Sequence, residues 1–154
     1  MAELQVYFDG LCQPMNPGGI ACYAFLIKTN GKTIYKERGL AAEPFSKGAT
    51  NNVAEYTALM KALEWLVANR SEREAIRVRG DSRLVISQMM GEFKVKANAI
   101  VPLFQKTVLL KNKFSNIMFQ WIPREENSEA DKLSEEAYNN AFLDDPKLLD
   151  KIRK

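Results

Sequence analysis

Four carboxylates stand at the ends of apolar strand patterns or on the apolar side of helix patterns, where a folded chain seldom holds a charge. They are Asp9, Glu55, Asp81 and Asp131. A buried carboxylate is unfavourable unless a cation or a metal ion accompanies it. The chain contains 0 histidines, so the available ligands are oxygen atoms, which suit hard divalent ions. The pattern therefore predicts a two-metal centre of the kind that hydrolyses phosphodiesters.

Each of these acids also has a simpler interpretation when it is taken alone. Asp9 precedes Gly10, as a turn aspartate often does, and Asp81 can cap the helix that follows it. Glu55 and Asp131 can each belong to the first turn of a helix, where an acid interacts favourably with the helix dipole. We favour the metal-site interpretation because all four lie at strand ends and helix starts that can converge.

The hydrophobic periodicity predicts the elements that must bring these acids together. Alternating apolar residues predict strands at 4–9, 20–29, 32–42, 76–80 and 117–121. Helical spacing predicts helices at about 51–69, 82–90, 100–113 and 127–142, followed by a short polar tail. The order β-β-β-α-β-α-α-β-α predicts an α/β domain with a mixed sheet. We expect one domain over residues 1–154.

Composition and charge narrow the function classes. Hydrophobic residues make up 46% of the chain and charged residues 27%, as in globular proteins. No apolar run is long enough to cross a membrane, and the chain enters a strand pattern directly from Met1-Ala2-Glu3, without a signal-peptide pattern. We therefore expect a cytoplasmic protein. The net charge of +3 is compatible with a nucleic-acid partner but does not require one.

The two cysteines, Cys12 and Cys22, flank a predicted hairpin turn. Free thiols are expected in a cytosolic chain, and a disulfide between them is the alternative. A zinc site is not expected, because the chain has no histidine and no Cys-x-x-Cys pattern. The two tryptophans, Trp65 and Trp121, are expected in the core and not on a base-stacking surface.

Several stretches resemble the motifs of the type 1 ribonuclease H family, in the same order and with similar spacing over nearly the whole chain. These are Tyr7–Cys12 with Asn16–Gly19, Thr50–Tyr56, Gly80–Ser82 and Asn127–Leu133. The resemblance implies a five-stranded mixed sheet whose first three strands are antiparallel, with helices on both faces. It also implies endonucleolytic hydrolysis of the RNA strand of RNA–DNA hybrids.

The resemblance assigns Asp9, Glu55, Asp81 and Asp131 as catalytic metal ligands, with Gly10 beside them. It implies two Mg²⁺ ions per site, with Mn²⁺ as a substitute, about 4 Å apart and bridged by Asp9. One ion would activate the attacking water and the other would stabilise the leaving 3′ oxygen. The products would carry a 5′-phosphate and a 3′-hydroxyl.

The resemblance also implies contacts that distinguish RNA from DNA. Asn16, Asn51 and Asn52 would contact 2′-hydroxyls in the minor groove, together with the backbone at Cys12, and Thr50 would hold a phosphate of the DNA strand. An amide side chain both donates and accepts hydrogen bonds, which suits a hydroxyl. The alternative for Asn51 or Asn52 is a helix cap.

The stretch that contains Lys94 and Lys96 alternates apolar and basic residues, and it can lie along a phosphate backbone. A solvated edge is the alternative interpretation. Many members of the family carry a longer basic protrusion at this place, whereas this chain has only a short version. We therefore expect either weaker binding of the hybrid or binding that depends on other lysines.

The loop at 122–126 departs from the family, because many members carry a histidine there and this chain has none. Arg124 or Glu125 would partly replace it, or else no residue would. Arginine stays protonated at any working pH, so it can bind phosphate but is a poor general base. Histidine-less bacterial and archaeal members exist, so we expect an active enzyme.

Other functions fit the sequence less well. A related exonuclease needs a second acid two residues after Asp9, where Leu11 stands. A transposase or integrase core uses three acids and further domains, and a type 2 ribonuclease H has a glycine- and arginine-rich motif that is absent. A catalytically silent hybrid-binding module would be favoured by loss of one acid, and all four are present. We expect a monomer that binds RNA–DNA hybrid and no membrane, with double-stranded RNA as a second candidate substrate.

Overall fold

The computed structural model describes residues 3–153 of the chain. These residues form a single five-stranded sheet with helices packed on it. Met1, Ala2 and Lys154 lie outside the described residues. The strands are β1 (Glu3–Gln13), β2 (Ile20–Thr29), β3 (Lys32–Leu40), β4 (Ala75–Gly80) and β5 (Asn116–Trp121). Their order is β3-β2-β1-β4-β5, with β1, β2 and β3 antiparallel and β4 and β5 parallel to β1. The predicted mixed sheet is confirmed.

Within the described residues, five α-helices accompany the sheet. They are α1 (Asn51–Ala68), α2 (Arg83–Met89), α3 (Val101–Lys111), α4 (Ser128–Asp144) and α5 (Lys147–Arg153), with a 3₁₀ turn at Arg124–Glu126. The predicted polar tail is wrong, because α5 forms there and buries Leu148 in a cluster with Leu11 and Ile20. Among the described helices, none is both long and apolar enough to span a membrane.

The two faces of the sheet bury different sets of residues, as the alternation of a strand requires. On one face, Val6 and Phe8 of β1 join the main core with Leu59 and Leu63 of α1. On the other face, Leu11 of β1 joins a smaller cluster formed with α4 and α5. The sheet is therefore covered by helices on both sides, as predicted.

The same alternation determines whether Cys12 and Cys22 can form a disulfide. In the β1–β2 register, Cys12 is opposite Ala21 and Cys22 is opposite Leu11, so the two thiols point to opposite faces of the sheet. Cys12 packs in a cluster with Ala21, whereas Cys22 packs with Leu11. Both thiols are free, as expected.

The start of α1 is held by residues outside the helix. The Oγ1 atom of Thr50 accepts a hydrogen bond from the Val53 N–H at 3.0 Å, which makes Thr50 the N-cap. The Oδ1 atom of Asn16 accepts a second bond, from the Asn51 N–H at 3.1 Å. The alternative that Asn51 or Asn52 caps this helix is therefore wrong, since Thr50 already has that role.

Strand β1 is longer than predicted and runs through Asp9 to Gln13. Its parallel pairing with β4 stops earlier, at the pair Phe8–Gly80, while its antiparallel pairing with β2 continues to Gln13. Asp9 therefore does not end its strand. It lies at the first position where β1 has lost its β4 neighbour, beside Asp81, which follows β4.

Gly10 allows α1 to approach β1 closely. A Cβ atom at Gly10 would lie 2.4 Å from the backbone nitrogen of Glu55 and 2.5 Å from the carbonyl carbon of Ala54. Backbone atoms of a packed helix cannot move aside as a flexible side chain can. The absence of a side chain at Gly10 therefore brings Glu55 next to Asp9.

We predict that Gly10→Ala lowers the free energy of unfolding by about 2–3 kcal/mol, because the new methyl group overpacks the contact between β1 and α1. Gly48→Ala is the matched control, because a Cβ there meets nothing within 4 Å. Urea unfolding of the two variants measures the difference. Equal stabilities for both variants would show that the close approach at Gly10 does not constrain the fold.

Candidate functional site

Three carboxylates from three elements meet at the edge of the sheet. Asp9 comes from β1, Glu55 from the second turn of α1, and Asp81 from the residue after β4. One oxygen atom of each lies within 4.8 Å of the others. Asp9 is 5% exposed and Glu55 is 3% exposed, whereas Asp81 is half-buried. Water can therefore do little to screen the repulsion among them.

Burial raises the pKa values of all three acids, and neighbouring carboxylates raise them further. Desolvation is the largest cause for Asp9, followed by the charge of Asp81, and together they raise its pKa to about 7. Desolvation and then the charge of Asp9 raise the pKa of Glu55. The pKa of Asp81 is raised mainly by desolvation. The metal-free cluster therefore retains protons at a pH where exposed acids are ionised.

Asp131 lies outside this group of three but faces the same cleft. The cleft has a volume of about 450 Å³. An Nη2 atom of Arg124 lies 3.4 Å from Oδ1 of Asp131, at the open side of the cleft. The charged residues that line the cleft are Asp9, Glu55, Asp81, Arg124, Asp131 and Glu135. Acidic side chains thus outnumber basic ones in the lining of the cleft by five to one.

The donor atoms of the cluster fit a divalent metal ion. The Oε2 atom of Glu55 is buried and has no hydrogen-bond partner among the described residues. A bound cation would supply the partner that this oxygen lacks. Carboxylate oxygens are the ligands that Mg²⁺ and Mn²⁺ prefer. Asp9, Glu55 and Asp81 can hold such an ion. Asp131 lines the same cleft, and its part in metal binding stays a prediction. Gly10 lines the cleft too, and its part in metal binding stays a prediction.

Two buried residues that support the acids were not assigned a role from the sequence. The Nδ2 atom of Asn127 donates to the Phe8 carbonyl at 2.9 Å, which fixes the start of α4 against β1. The Ser134 hydroxyl lies 3.0 Å from Oδ2 of Asp9. Ser134 follows Asp131 by three residues and so shares its helix face, which is the signal that could have identified it.

Four of the residues predicted to contact substrate lie at or beside the start of α1. Asn51 lines the cleft, and Asn52 is exposed one residue further along the helix. Asn16 is exposed and bonded to the Asn51 backbone. Among the described residues, neither the Asn51 nor the Asn52 amide side chain makes a hydrogen bond. Thr50 caps α1 through its oxygen, which leaves its hydroxyl hydrogen available to a phosphate.

Of the other residues predicted to contact substrate or to assist from the loop, some line the cleft and others do not. Cys12 lines the cleft, and its Sγ atom lies 3.2 Å from the carbonyl oxygens of both Met15 and Ala49, so its single hydrogen can be donated to one of them at a time. Lys94 and Lys96 are exposed in the segment between α2 and α3 and do not line the cleft. Glu125 is likewise exposed and outside the cleft lining, whereas its neighbour Arg124 faces the acids.

Trp121 supports the backbone of the cluster on the β5 side. It is half-buried against the main core, as predicted, and its Nε1 atom donates to the Asp81 carbonyl at 3.1 Å. The guanidinium of Arg83 lies 3.8 Å from the centre of the Trp121 ring, a cation–π contact. These contacts hold the turn that presents Asp81.

Comparison with known sequences places the chain among its relatives. A model of the reverse transcriptase-like family matches residues 24–137. Ribonuclease HI of Halobacterium salinarum is 33% identical over 141 residues, which cover 90% of this chain and 66% of that protein. A bifunctional protein of Mycobacterium tuberculosis is 38% identical over 93 residues, or 60% of this chain. The chain spans about a quarter of the length of the curated mycobacterial relatives that it matches.

Solved structures agree with the sequence relatives. The structure of LC11 ribonuclease H1, isolated from compost by a metagenomic approach, has a TM-score of 0.81 and 36% identity, and the match covers 92% of this chain and 99% of that one. The same protein in complex with RNA/DNA hybrid has a TM-score of 0.80 and 34% identity, with 90% and 99% of the two chains covered. Fold, motifs and identity thus agree, and the chain belongs to the type 1 ribonuclease H family.

Proposed function

We propose that this protein hydrolyses the RNA strand of RNA–DNA hybrids endonucleolytically, by a two-metal-ion mechanism that leaves 5′-phosphate and 3′-hydroxyl ends. The observation that carries the proposal is the convergence of Asp9, Glu55 and Asp81 within 4.8 Å in a protein of the ribonuclease H family. A buried acid cluster of this kind lowers the free energy of unfolding. Proteins keep such destabilising clusters where their function requires them.

The acids of the chain have separable roles in this proposal. Asp9 and Glu55 are nearly inaccessible to water, so they form the inner wall of the metal site. Asp81 and Asp131 are more exposed and face the side from which substrate enters. When bound, two Mg²⁺ ions, or Mn²⁺ in their place, would supply the activated water and the stabilisation of the leaving 3′ oxygen.

Arg124 is the residue that we propose for phosphate binding in the loop without histidine. Its guanidinium is the cation among the charged residues that line the cleft, and the carboxylates of Asp131, Asp9 and Asp81 raise its pKa further. It therefore remains charged and cannot accept a proton from water. Glu125 is exposed outside the cleft, so we give it no more than a supporting role in the loop.

Recognition of the hybrid is proposed for the amides of Asn16, Asn51 and Asn52. Two of these amides make no hydrogen bond among the described residues, and they lie beside the acid cleft, where a 2′-hydroxyl can be read. The hybrid complex of LC11 ribonuclease H1 supports this substrate class. Lys94 and Lys96 lie away from the acids and would contact a more distant phosphate.

The proposal extends to the localisation, the oligomeric state and a second substrate. We expect a cytoplasmic monomer that forms one domain. Double-stranded RNA remains a second candidate substrate, and a labelled RNA duplex included in the cleavage assays below would show whether it is cut.

Metal dependence is the first expected result. The purified protein should cleave a 5′-labelled hybrid with Mg²⁺ or Mn²⁺ and should be inactive with excess EDTA, because the cluster needs divalent charge to accept a phosphodiester. Product ends can be identified by their response to phosphatase and to ligase. Full cleavage in excess EDTA, or products with a 3′-phosphate, would contradict the proposal.

Neutralising Asp9 should separate activity from stability. Asp9→Asn should abolish cleavage while it stabilises the metal-free protein above about pH 7. Because the pKa of Asp9 is raised on folding to about 7, its stabilising contribution is fully present below the unfolded pKa and is lost as the pH rises towards 7. The advantage of Asp9→Asn should therefore grow from about pH 4 to about pH 7 and reach about 2–4 kcal/mol.

The pH series of unfolding free energies, measured with chelator, tests this expectation directly. Asp144→Asn is the control, because Asp144 is exposed at the end of α4. An Asp9→Asn protein that is less stable than the wild type at every pH would make Asp9 a structural residue.

Loss of the Asn52 amide should weaken recognition and leave the chemical step intact. Asn52→Ala should lower kcat/KM on hybrid by roughly tenfold, which corresponds to about 1.4 kcal/mol. A single 2′-deoxy substitution at the contacted nucleotide should cause the same loss for the wild type. The two changes together should add little, as one shared contact requires.

Asn139→Ala is the matched control, since Asn139 is an exposed amide on α4. It should behave as the wild type on both substrates. Fully additive losses for Asn52→Ala at every substituted nucleotide would show that another residue senses the 2′-hydroxyl.

A further inference from the structure

One buried hydroxyl links the helix that carries Asp131 to the strand that carries Asp9. Ser134 of α4 is 0% exposed. Its Oγ atom lies 3.0 Å from Oδ2 of Asp9 and 2.8 Å from the carbonyl oxygen of Asp131. A serine hydroxyl has one hydrogen to donate, so these two acceptors compete for it.

The carboxylate gains the most from that hydrogen. The Asp131 carbonyl belongs to an α-helix and has a backbone donor available along the helix. Asp9, in contrast, is an acid with little access to water, and hydrogen bonds to ionised groups are stronger than those to neutral ones. Each carboxylate oxygen has two lone pairs. Oδ2 can therefore accept the Ser134 hydrogen and still bind a cation.

We propose that Ser134 is a positioning residue that holds the Asp9 carboxylate in its metal-binding orientation and keeps α4, with Asp131, in register with it. The proposal rests on the metal site of the proposed function. Without the hydroxyl, the Asp9 side chain could turn towards other partners, and cation binding would have to reorder it. Ordering of that kind weakens binding.

The chain contains a matched control for the loss of a buried helical hydroxyl. Thr107 of α3 is also 0% exposed, and its Oγ1 atom donates to the Leu103 carbonyl at 2.6 Å in the same helix. It resembles Ser134 in burial and in its bond to its own helix. It differs in that no candidate metal ligand lies on α3.

The test measures Mn²⁺ binding to the intact protein by isothermal titration at about pH 8, where protons compete little with the metal. Ser134→Ala should weaken the affinity about tenfold, the size expected for one hydrogen bond to a charged group. Thr107→Ala should bind Mn²⁺ as the wild type does, even where its melting temperature falls. In cleavage assays, saturating Mn²⁺ should restore most of the activity of Ser134→Ala.

Three outcomes with the wild type and the two variants above overturn the proposal. A Ser134→Ala protein with wild-type Mn²⁺ affinity would make Ser134 a structural residue of α4 and leave the proposed function intact. Equal losses of affinity in Ser134→Ala and Thr107→Ala would have the same meaning. A wild type with no saturable Mn²⁺ binding would overturn the inference and the proposed function together.

Ser134→Cys covers the case in which the alanine variant does not fold. Cysteine keeps the shape of serine with a larger sulfur atom in place of oxygen, and its thiol is a weak donor. It should reproduce the loss of affinity while it fills the space that alanine leaves empty, and wild-type affinity in this variant would overturn the proposal.

Discussion

The repulsion among three carboxylates in a nearly dry space is the constraint on which the rest of this structure depends. Asp9 and Glu55 are almost fully buried, and Asp81 lies beside them. Such a cluster disfavours the folded state whenever all three are ionised without a cation. The surrounding fold must therefore hold the acids against their repulsion. Strands β1 and β4 and helices α1 and α4 hold them, and these elements are themselves held by buried apolar side chains.

The sheet supplies the closest of these constraints. Strands β1 and β4 are parallel neighbours whose pairing stops at Phe8 and Gly80, so the residue after each, Asp9 and Asp81, emerges at the same edge. A glycine at position 10 then admits α1 to within contact of β1, which brings Glu55 to the cluster from the third direction. Asn127 fastens the start of α4 to the Phe8 carbonyl, and Arg124 and Asp131 complete the open side.

Local patterns predicted most of the elements and the identity of the acids. Strand alternation, helical spacing and the family motifs were sufficient to predict the mixed sheet and helix α1. They were also sufficient to predict that Asp9, Glu55 and Asp81 converge. Other features depend on contacts between segments that are distant in sequence. Helix α5 forms because Leu148 finds an apolar cluster made by β1 and β2, and Ser134 gains its role only because α4 crosses Asp9. Periodicity within α4 places Ser134 on the same helix face as Asp131, but it does not show that this face crosses Asp9 or that the last segment meets β1 and β2.

The central claim is that the buried acids form a cation site. Anomalous diffraction from crystals soaked in Mn²⁺ tests it most directly, because the scattering locates the metal without reference to activity. The account predicts strong anomalous peaks in contact with carboxylate oxygens of Asp9, Glu55 and Asp81. A cleft without anomalous density, with Mn²⁺ found only at exposed acids such as Asp144 and Asp145, would contradict it.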